Sequence, residues 1–261
     1  YDESPAKEAG LQRGDYITTI DGADIKSLSS VEAVQNKLRG ESGTSVNVGW
    51  LDSENAQHTA DLTHSGFTAN SVDSALVQGN VGYIKIWQFD NSTPSELDFA
   101  LRSLTASGAQ SFIFDLRDNG GGLVDSVTAI LDDLLPAGTT VYMEDKHGER
   151  TVYSSDDEKQ ENMPMAVLTS GNTASAAEIF AGAIRDFHYG TLIGTKTFGK
   201  GIVQTTIPLP DGSAIKVTTA RYYTPSGECI HEKGIEPDIE LEYQFLGMED
   251  QAYDVSLDNQ I

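Results

Sequence analysis

The stretch that decides the fold is MPMAVLTSGNTASAAEIFAGAIRDF, from Met163 to Phe187. Up to Ser170 it is an apolar run with a proline near its start and a glycine after its end, which predicts a short buried strand. From Ser175 onward, alanines and larger apolar residues recur at helical spacing, which predicts a helix. A buried strand that leads at once into a helix is typical of layered α/β domains. We therefore expect this stretch to lie inside such a domain.

The same alternation extends over the second part of the chain, from about residue 72 onward. Strands are predicted at VGYIKIWQF and SFIFDL, and helices at TPSELDFALRSLTASG and LVDSVTAILDDLL. From Thr191 onward, strands and turns dominate. Since no repeat or low-complexity linker divides it, we interpret residues 67–261 as one α/β (α+β) layered core domain.

The first part of the chain, residues 1–66, has a different pattern. Ser4-Pro5 begins a short helix, and Tyr16–Ile20 is predicted to be a strand. A second helix, SVEAVQNKLRG, and a pair of strands follow. Gly10-Leu11, Gly14-Asp15, Ile17, Ile20 and Asp21-Gly22 resemble the middle of a PDZ domain. In that family a loop of backbone amides binds the peptide carboxylate and an edge strand pairs with the peptide, and both would precede Ser4. We therefore expect a truncated PDZ-like module that lacks its N-terminal part.

Composition disfavours several classes of protein. The 261 residues include 17 Lys plus Arg and 40 Asp plus Glu, which gives a formal charge of −23. A chain this acidic repels nucleic acid and anionic membranes. Cys229 is the single cysteine, so an internal disulfide and a metal site built on a cysteine cluster are excluded. No apolar run reaches the length of about 18 residues that a membrane helix needs.

A second motif, GTKTFGKGIVQ, has the spacing of a nucleotide phosphate loop. Its glycines and Lys200 match that loop, but the next position needs a Ser or Thr hydroxyl for Mg²⁺ and is Gly201. A phosphate loop must also open a helix. The continuation, IVQTTIPLP, is instead rich in β-branched residues and predicts a strand. We therefore disfavour nucleotide binding, and Lys200 needs another explanation.

Ser175 is the candidate nucleophile. A hydroxyl at a helix start lies at the positive end of the helix dipole, beside backbone amides that lack helical partners. The Ala176 amide is the one most suitably placed to stabilise an oxyanion. The alternative is that Ser175 only caps the helix, and this stretch alone leaves both interpretations open.

Five motifs resemble those of the C-terminal processing (tail-specific) peptidases. In chain order they are DLRDNGGG, TASAAEIFAGAIRD, TFGKGIVQ, DGSAIKVTTARYYTPSGECI and KGIEPDI. A PDZ module precedes them, as it does in that family. The resemblance extends from Ser4 to about Ile239. It implies a serine endopeptidase with a Ser-Lys dyad, on a fold related to the crotonase and Clp protease cores.

The resemblance also implies roles for individual residues. Ser175 falls on the nucleophile of the family, Lys200 on its general base, and Gln204 on the glutamine that orients the lysine. If this segment is a strand, Lys200 and Gln204 project from the same face, since they are four positions apart. The glycine run adds a second oxyanion amide to that of Ala176, and Gly121 is the expected donor.

Three charged residues near these motifs have less specific roles. Asp186 matches a family position and is interpreted as support for the site, with a role at the helix end as an equal alternative. Arg117 and Glu178 are expected to form ion pairs or helix caps, and neither is assigned to catalysis.

We therefore expect a secreted or cell-envelope serine endopeptidase that cuts protein or peptide substrates near apolar C-terminal tails. It would need no metal and no cofactor, and would bind neither nucleic acid nor nucleotide. The sequence leaves open whether it forms a homo-oligomer. The chain starts at Tyr1 without an initiator methionine or a signal-like segment, so we expect a signal or anchor segment to be absent from it. The alternative from another class is a non-catalytic ligand- or peptide-binding protein on the same fold.

Overall fold

The computed structural model describes residues 4–12, 14–28, 30–66, 70–156 and 163–242. They form two compact units that divide at residue 70, and each unit has its own hydrophobic core. The predicted boundary after residue 66 adjoins residues 67–69, which lie outside the described residues, as does the predicted continuation of the core domain from residue 243. Among the described residues, no helix is long and apolar enough to cross a membrane.

The first unit is an antiparallel sheet with short helices. Its elements are α1 (Pro5–Glu8), β1 (Tyr16–Ile20), β2 (Ala23–Asp24), a 3₁₀ turn (Ile25–Ser27), α2 (Val31–Leu38), β3 (Ser45–Leu51) and β4 (Gln57–Thr63). The strand order is β2-β1-β3-β4. Ser4 caps α1, accepting a hydrogen bond from the Lys7 amide, and Ser30 caps α2, accepting one from the Ala33 amide. The small core consists of Ile20, Val46, Val48 and Trp50.

The second unit combines two sheets with three helices in its described residues. Its elements are β5 (Val72–Val77), β6 (Val81–Ile86), α3 (Thr93–Ala106), β7 (Ser111–Asp115), α4 (Val124–Leu134), β8 (Gly138–Asp145), β9 (Arg150–Ser155), β10 (Met165–Thr169), α5 (Ala176–Asp186), β11 (Thr191–Gly194), β12 (Ile202–Pro208), β13 (Ala214–Tyr223) and β14 (Ile239–Glu240). The six-stranded sheet has the order β14-β11-β10-β7-β6-β5, and only the β5–β6 pair is antiparallel. The four-stranded sheet, β12-β13-β8-β9, is antiparallel throughout.

Helix α5 is the centre of the second unit. Every residue from Ala176 to Ile184 is buried, as expected for a helix that is largely apolar on all sides. The helix contacts β11 of the six-stranded sheet and β8 of the four-stranded sheet, so it packs between them. This arrangement confirms the layered α/β core that the sequence predicts.

Three loops at one edge of the six-stranded sheet position the candidate site. Strands β7, β10 and β11 are parallel neighbours, so their carboxyl ends lie at the same edge. The loops that follow them are residues 116–123, 170–175 and 195–201. They carry the glycine run, Ser175 and Lys200, respectively. Strand order thus brings together motifs that are far apart in the sequence.

The sequence pattern does not predict β5, β8 and β9. Strands β5 and β9 form the outer edges of their sheets, and most of their residues are exposed or half-buried. An edge strand with little buried surface lacks the clear apolar pattern by which strands are recognised.

Candidate active site

Ser175 has an unusual backbone conformation at the start of α5. It has φ 59° and ψ −119°, a region that residues other than glycine rarely adopt. Its amide donates a hydrogen bond to Glu178 Oε2 at 2.9 Å, and its carbonyl accepts one from the Glu178 amide at 2.8 Å. Strained conformations of this kind persist only where surrounding contacts hold them, and they cluster at functional sites.

The glycine run lies directly against Ser175. Gly121 has φ 102°, and a Cβ atom at this position would come within 2.7 Å of Ser175 Cβ and 2.9 Å of the Ala176 nitrogen. Any larger residue would therefore displace the segment that carries Ser175. The glycine at position 121 is required both by its backbone conformation and by this close approach.

The backbone amides near Ser175 differ in their availability. The Ala176 amide makes no hydrogen bond within the described part of the chain, so it is available to a substrate oxygen. The Gly121 amide, the expected second donor, instead donates to Asn119 Oδ1 at 2.8 Å. Its neighbours Gly120 and Gly122 are exposed, and their amides make no hydrogen bond to any described residue. Among the described residues, the glycine run therefore has free amide donors at the positions before and after Gly121.

Asn119 is a site residue that the sequence analysis missed. It is fully buried, and its Nδ2 donates to the Ile86 carbonyl at 2.8 Å. Its own carbonyl accepts a hydrogen bond from the Ala174 amide at 2.9 Å. Asn119 thus ties the glycine run both to strand β6 and to the residue before Ser175. The signal in the sequence was a polar residue directly before a glycine run, which is too common to be specific.

Glu178 connects the segments that carry Ser175 and Lys200. Its side chain is fully buried. Oε2 accepts hydrogen bonds from the Ser175 amide at 2.9 Å and the Lys200 amide at 2.8 Å. Oε1 accepts hydrogen bonds from Thr197 Oγ1 at 2.6 Å and the Gly199 amide at 2.7 Å. Four donors and the positive end of the α5 dipole compensate the buried carboxylate. The expected capping role is confirmed, and it extends to the lysine loop.

Lys200 is half-buried and lies two residues before β12. Within the described residues, its Nζ atom makes no hydrogen bond and no ion pair. No side-chain hydrogen bond joins it to Ser175 among these residues. The structure therefore brings the two peptide segments together through Glu178, and it leaves the lysine amine unpaired among the described residues.

Gln204 is exposed on β12, where it pairs with Thr218 across a register shift that follows Val203. The strand predicted after Gly201 is confirmed, but Lys200 precedes it. No hydrogen bond joins the Gln204 and Lys200 side chains within the described part of the chain.

Asp186 lies at the opposite end of α5 from Ser175. Eleven residues of α-helix span about 16 Å, so the structure does not bring this carboxylate to Ser175. It accepts hydrogen bonds from Arg185 Nε at 2.8 Å and the Ser226 amide at 2.9 Å. Burial raises its pKa, but hydrogen bonds from Thr224, Ser226 and Arg185 together hold the pKa below its usual value. These contacts give Asp186 the helix-end role that the sequence left open.

Arg117 belongs to a buried charge cluster under the glycine run. Its guanidinium pairs with Asp115 at 2.7 Å, and Asp115 also accepts a hydrogen bond from the Tyr83 hydroxyl at 2.7 Å. Lys85 Nζ lies 3.4 Å from the same carboxylate. The expected ion pair of Arg117 is confirmed, and it anchors the end of β7.

Among the described residues, no group of three or more His, Cys, Asp or Glu side chains is arranged to hold a metal ion. The candidate groups at this site are the side chains of Ser175 and Lys200 and the backbone amides around them.

Comparisons with known proteins agree with this architecture. Residues 80–241 match peptidase family S41, and residues 1–51 match the PDZ domain family. The chain is 38% identical to a carboxyl-terminal-processing protease from Synechocystis sp. over 93% of its length, and 36% identical to a chloroplastic C-terminal processing peptidase from Tetradesmus obliquus, also over 93%. It spans 58% and 55% of the lengths of these two relatives.

A solved structure of a photosystem II D1 C-terminal processing protease is 35% identical to the chain. The match has a TM-score of 0.63 and covers 91% of this chain and 66% of that one. Together with the sequence relatives, it confirms the predicted resemblance and the fold that the resemblance implies.

Proposed function

The chain belongs to peptidase family S41, and on this basis we propose that it is a serine endopeptidase of the C-terminal processing type. In this proposal it hydrolyses peptide bonds of protein substrates near apolar C-terminal tails, by means of a Ser175-Lys200 dyad. The observation that carries the proposal is the Glu178 carboxylate, because one of its oxygens accepts the amides of both dyad residues. A buried contact of this kind fixes the distance between two loops.

Ser175 Oγ attacks the scissile carbonyl carbon, and Lys200 Nζ takes the proton from the hydroxyl. Lys200 then returns this proton to the leaving amine, and the acyl-enzyme is hydrolysed by water in a second step. The lysine must be neutral to act as the base. The absence of an acidic partner for Lys200 Nζ within the described residues supports this role, since an adjacent carboxylate would hold the amine in its charged form.

The Ala176 amide and one amide of the glycine run hold the oxyanion. The Ala176 amide is free among the described residues and points from the first turn of α5, where the helix dipole favours negative charge. Gly121 remains part of the proposal through its contact with Ser175. To bind the oxyanion, the Gly121 amide would have to release Asn119 Oδ1. Otherwise the free amide of Gly120 or Gly122 would act in its place.

Gln204 orients Lys200 in this proposal, by accepting a hydrogen bond from the amine when substrate is bound. Both side chains lack other partners among the described residues, so neither must break a contact to form this one. Asp186 supports the site only from the far end of α5.

The preference for apolar substrate tails is consistent with the side chains beside the loops. Phe198 is 64% exposed and precedes Gly199, while Leu123 is 45% exposed and follows Gly122. Exposed apolar side chains next to a catalytic loop are suited to contact an apolar peptide. The secreted or cell-envelope location is part of the same proposal and rests on the family resemblance.

The direct test compares Ser175→Ala and Lys200→Ala with the wild-type protein against an unstructured protein substrate. Both variants should lose cleavage by roughly 10⁴-fold or more, because removing either member of such a pair disables the whole unit. Lys196→Ala is the matched control, since this exposed lysine pairs with Glu236 at 2.8 Å and should be dispensable. Cleavage retained by either dyad variant would refute the dyad.

Labelling with a serine-reactive phosphonate separates the peptidase from the binding-protein alternative. We expect one label per chain in the wild-type protein, located on Ser175, and none in Ser175→Ala. A folded wild-type protein that binds peptide but is neither labelled nor active would favour the binding protein.

A further inference from the structure

We propose that Tyr222 is a positioning residue that, together with Glu178, clamps the backbone of Ser175 to the backbone of Lys200. The inference rests on the proposed function, because it assigns a role within the dyad. Tyr222 lies on β13 and is 2% exposed. It is remote in sequence from both dyad residues, and no motif pattern singles out its hydroxyl.

The contacts of the Tyr222 hydroxyl complement those of Glu178. The hydroxyl lies 3.1 Å from the Ser175 carbonyl oxygen and also hydrogen-bonds to the Lys200 carbonyl oxygen. Glu178 Oε2 accepts the amides of the same two residues. Both the N–H and the C=O group of each dyad residue are therefore held, and the same two side chains hold all four groups.

The clamp also joins the two sheets of the core. Ser175 follows β10 of the six-stranded sheet, whereas Tyr222 belongs to β13 of the four-stranded sheet. The Tyr222 amide donates to the Gly201 carbonyl at 3.1 Å, so main chain and side chain of this residue hold consecutive carbonyls of the lysine loop. Relative movement of the layers would consequently separate Lys200 from Ser175 unless Tyr222 and Glu178 held their backbones.

The hydroxyl acts as a donor rather than as a second base. It has one proton for two carbonyl acceptors, so it shares or alternates this proton between them. Burial, followed by the nearby Glu178 charge, raises the pKa of Tyr222 above its usual range. The hydroxyl thus keeps its proton at neutral pH and acts as a donor.

Both dyad segments need such support. Ser175 is held at φ 59°, an unfavourable conformation for serine. Lys200 stands between two glycines, of which Gly199 has φ 88°, and its side chain has no partner within the described residues. The position of Lys200 is therefore set by contacts of its own backbone. Glu178 binds its amide, and Tyr222 binds its carbonyl.

The test replaces the hydroxyl and keeps the ring. Tyr222→Phe should fold, since the ring still fills its buried position, and its kcat should fall by roughly 10²-fold because the reacting groups are misplaced. KM should be unchanged, because Tyr222 does not belong to the surface that receives substrate. The pH profile of kcat/KM should change as well, because the base is no longer held beside the nucleophile.

Two other tyrosines provide matched controls. Tyr223→Phe changes the next residue of β13, whose ring stacks on Tyr142 at 4.9 Å, and should leave kcat and the pH profile unchanged. Tyr83→Phe removes another buried hydroxyl, the donor to Asp115, and should lower Tm without moving the pH profile. A Tyr222→Phe variant that behaves like Tyr83→Phe, with reduced Tm but wild-type kcat and pH profile, would overturn the positioning role.

The experiment also separates this inference from the proposed function. The rate of phosphonate labelling at Ser175 should fall in Tyr222→Phe in parallel with kcat, while the Ser175→Ala variant establishes that the label reports the nucleophile. Failure of the wild-type protein to label would refute the peptidase function itself. In that case a crystal structure of Tyr222→Phe still tests the clamp, since Ser175 and Lys200 carbonyls at wild-type positions would overturn it.

Glu178→Gln, which disturbs the other half of the clamp, should reproduce the change in the pH profile if Tyr222→Phe does not fold.

Discussion

The two ends of helix α5 each carry a carboxylate, and the two carboxylates bind different parts of the chain. Glu178, in the first turn, is fully buried and accepts four hydrogen bonds from the segments of Ser175 and Lys200. Asp186, at the last residue of the helix, binds Arg185 and the loop at Ser226. From the sequence, Asp186 was expected either to support the site or to end the helix, and Glu178 to form an ion pair or a cap. The contacts show that proximity to the loops, and not the match to a motif, decides what each carboxylate does.

The largest expected effect comes from removing the carboxylate at the start of the helix. Glu178→Ala leaves the amides of Ser175, Gly199 and Lys200 without acceptors, so kcat/KM should fall by roughly 10²-fold or more. The free energy of unfolding should decrease by about 3 kcal/mol. Peptide cleavage and urea denaturation measure the two effects.

The matched control for this variant is Glu96→Ala on α3. Glu96 also accepts several hydrogen bonds, from the Ser71 amide at 2.7 Å, the Val72 amide at 3.1 Å and Ser92 Oγ at 2.6 Å. Its removal should reduce stability and leave kcat/KM unchanged. Equal loss of activity in both variants would show that Glu178 acts only through general stability.

A smaller effect is expected from filling the space between the glycine run and the start of α5. Gly121→Ala forces a residue with a side chain into φ 102° and drives its Cβ against Ser175, so we expect about 2 kcal/mol of destabilisation. Activity should fall as well, because Ser175 and Ala176 are displaced. Gly120→Ala is the control, since a Cβ atom there has no neighbour within 4 Å. If both variants are equally active, the close approach at position 121 has no role in positioning the nucleophile.

The smallest effect is expected at the end of the helix. Asp186→Asn weakens the contacts to Arg185 and Ser226, which should cost about 1 kcal/mol of stability. Because the side chain lies far from Ser175, kcat should remain close to that of the wild type. A loss of kcat as large as that of Glu178→Ala, in a folded protein, would restore Asp186 to the site and remove the contrast between the two ends.

The same residue predicts a dependence of stability on pH. The pKa of Asp186 is lower in the folded chain than its usual value, so the folded state favours the charged form. Its contribution is complete above the ordinary pKa of about 3.9 and is lost as the pH falls through the lower folded value. Thermal unfolding between pH 6 and pH 2, roughly the range that spans these values, should show a shallower decline for Asp186→Asn than for the wild type. Identical slopes would contradict the assignment.

Local sequence was sufficient where the relevant contacts are local. The strand and helix around Ser175 follow from periodicity, and the spacing of Ser175 and Glu178 is that of a helix capping box. The position of Asp186 was implicit too, since eleven helical residues place it three turns from the nucleophile. These features could be predicted because they depend on the geometry of one element.

Contacts between elements were beyond the sequence. The Asn119 side chain binds the Gly121 amide and strand β6, and no local pattern indicates that the expected oxyanion donor would be engaged in this way. Gln204 was expected to orient Lys200, and it is exposed on β12, with no hydrogen bond between the two side chains among the described residues. Each of these outcomes depends on how a loop packs against a distant strand.

By itself, the sequence determined the family, the α/β order of the core and the candidates Ser175 and Lys200, because motifs and periodicity are properties of short segments. Only the tertiary structure decided how these residues are held. The order of β7, β10 and β11 places three loops at one edge, and the buried Glu178 and Tyr222 side chains then bind the backbone of both candidates. A hydrogen bond between residues from different layers depends on the packing of whole elements, and that packing is fixed only when the chain has folded.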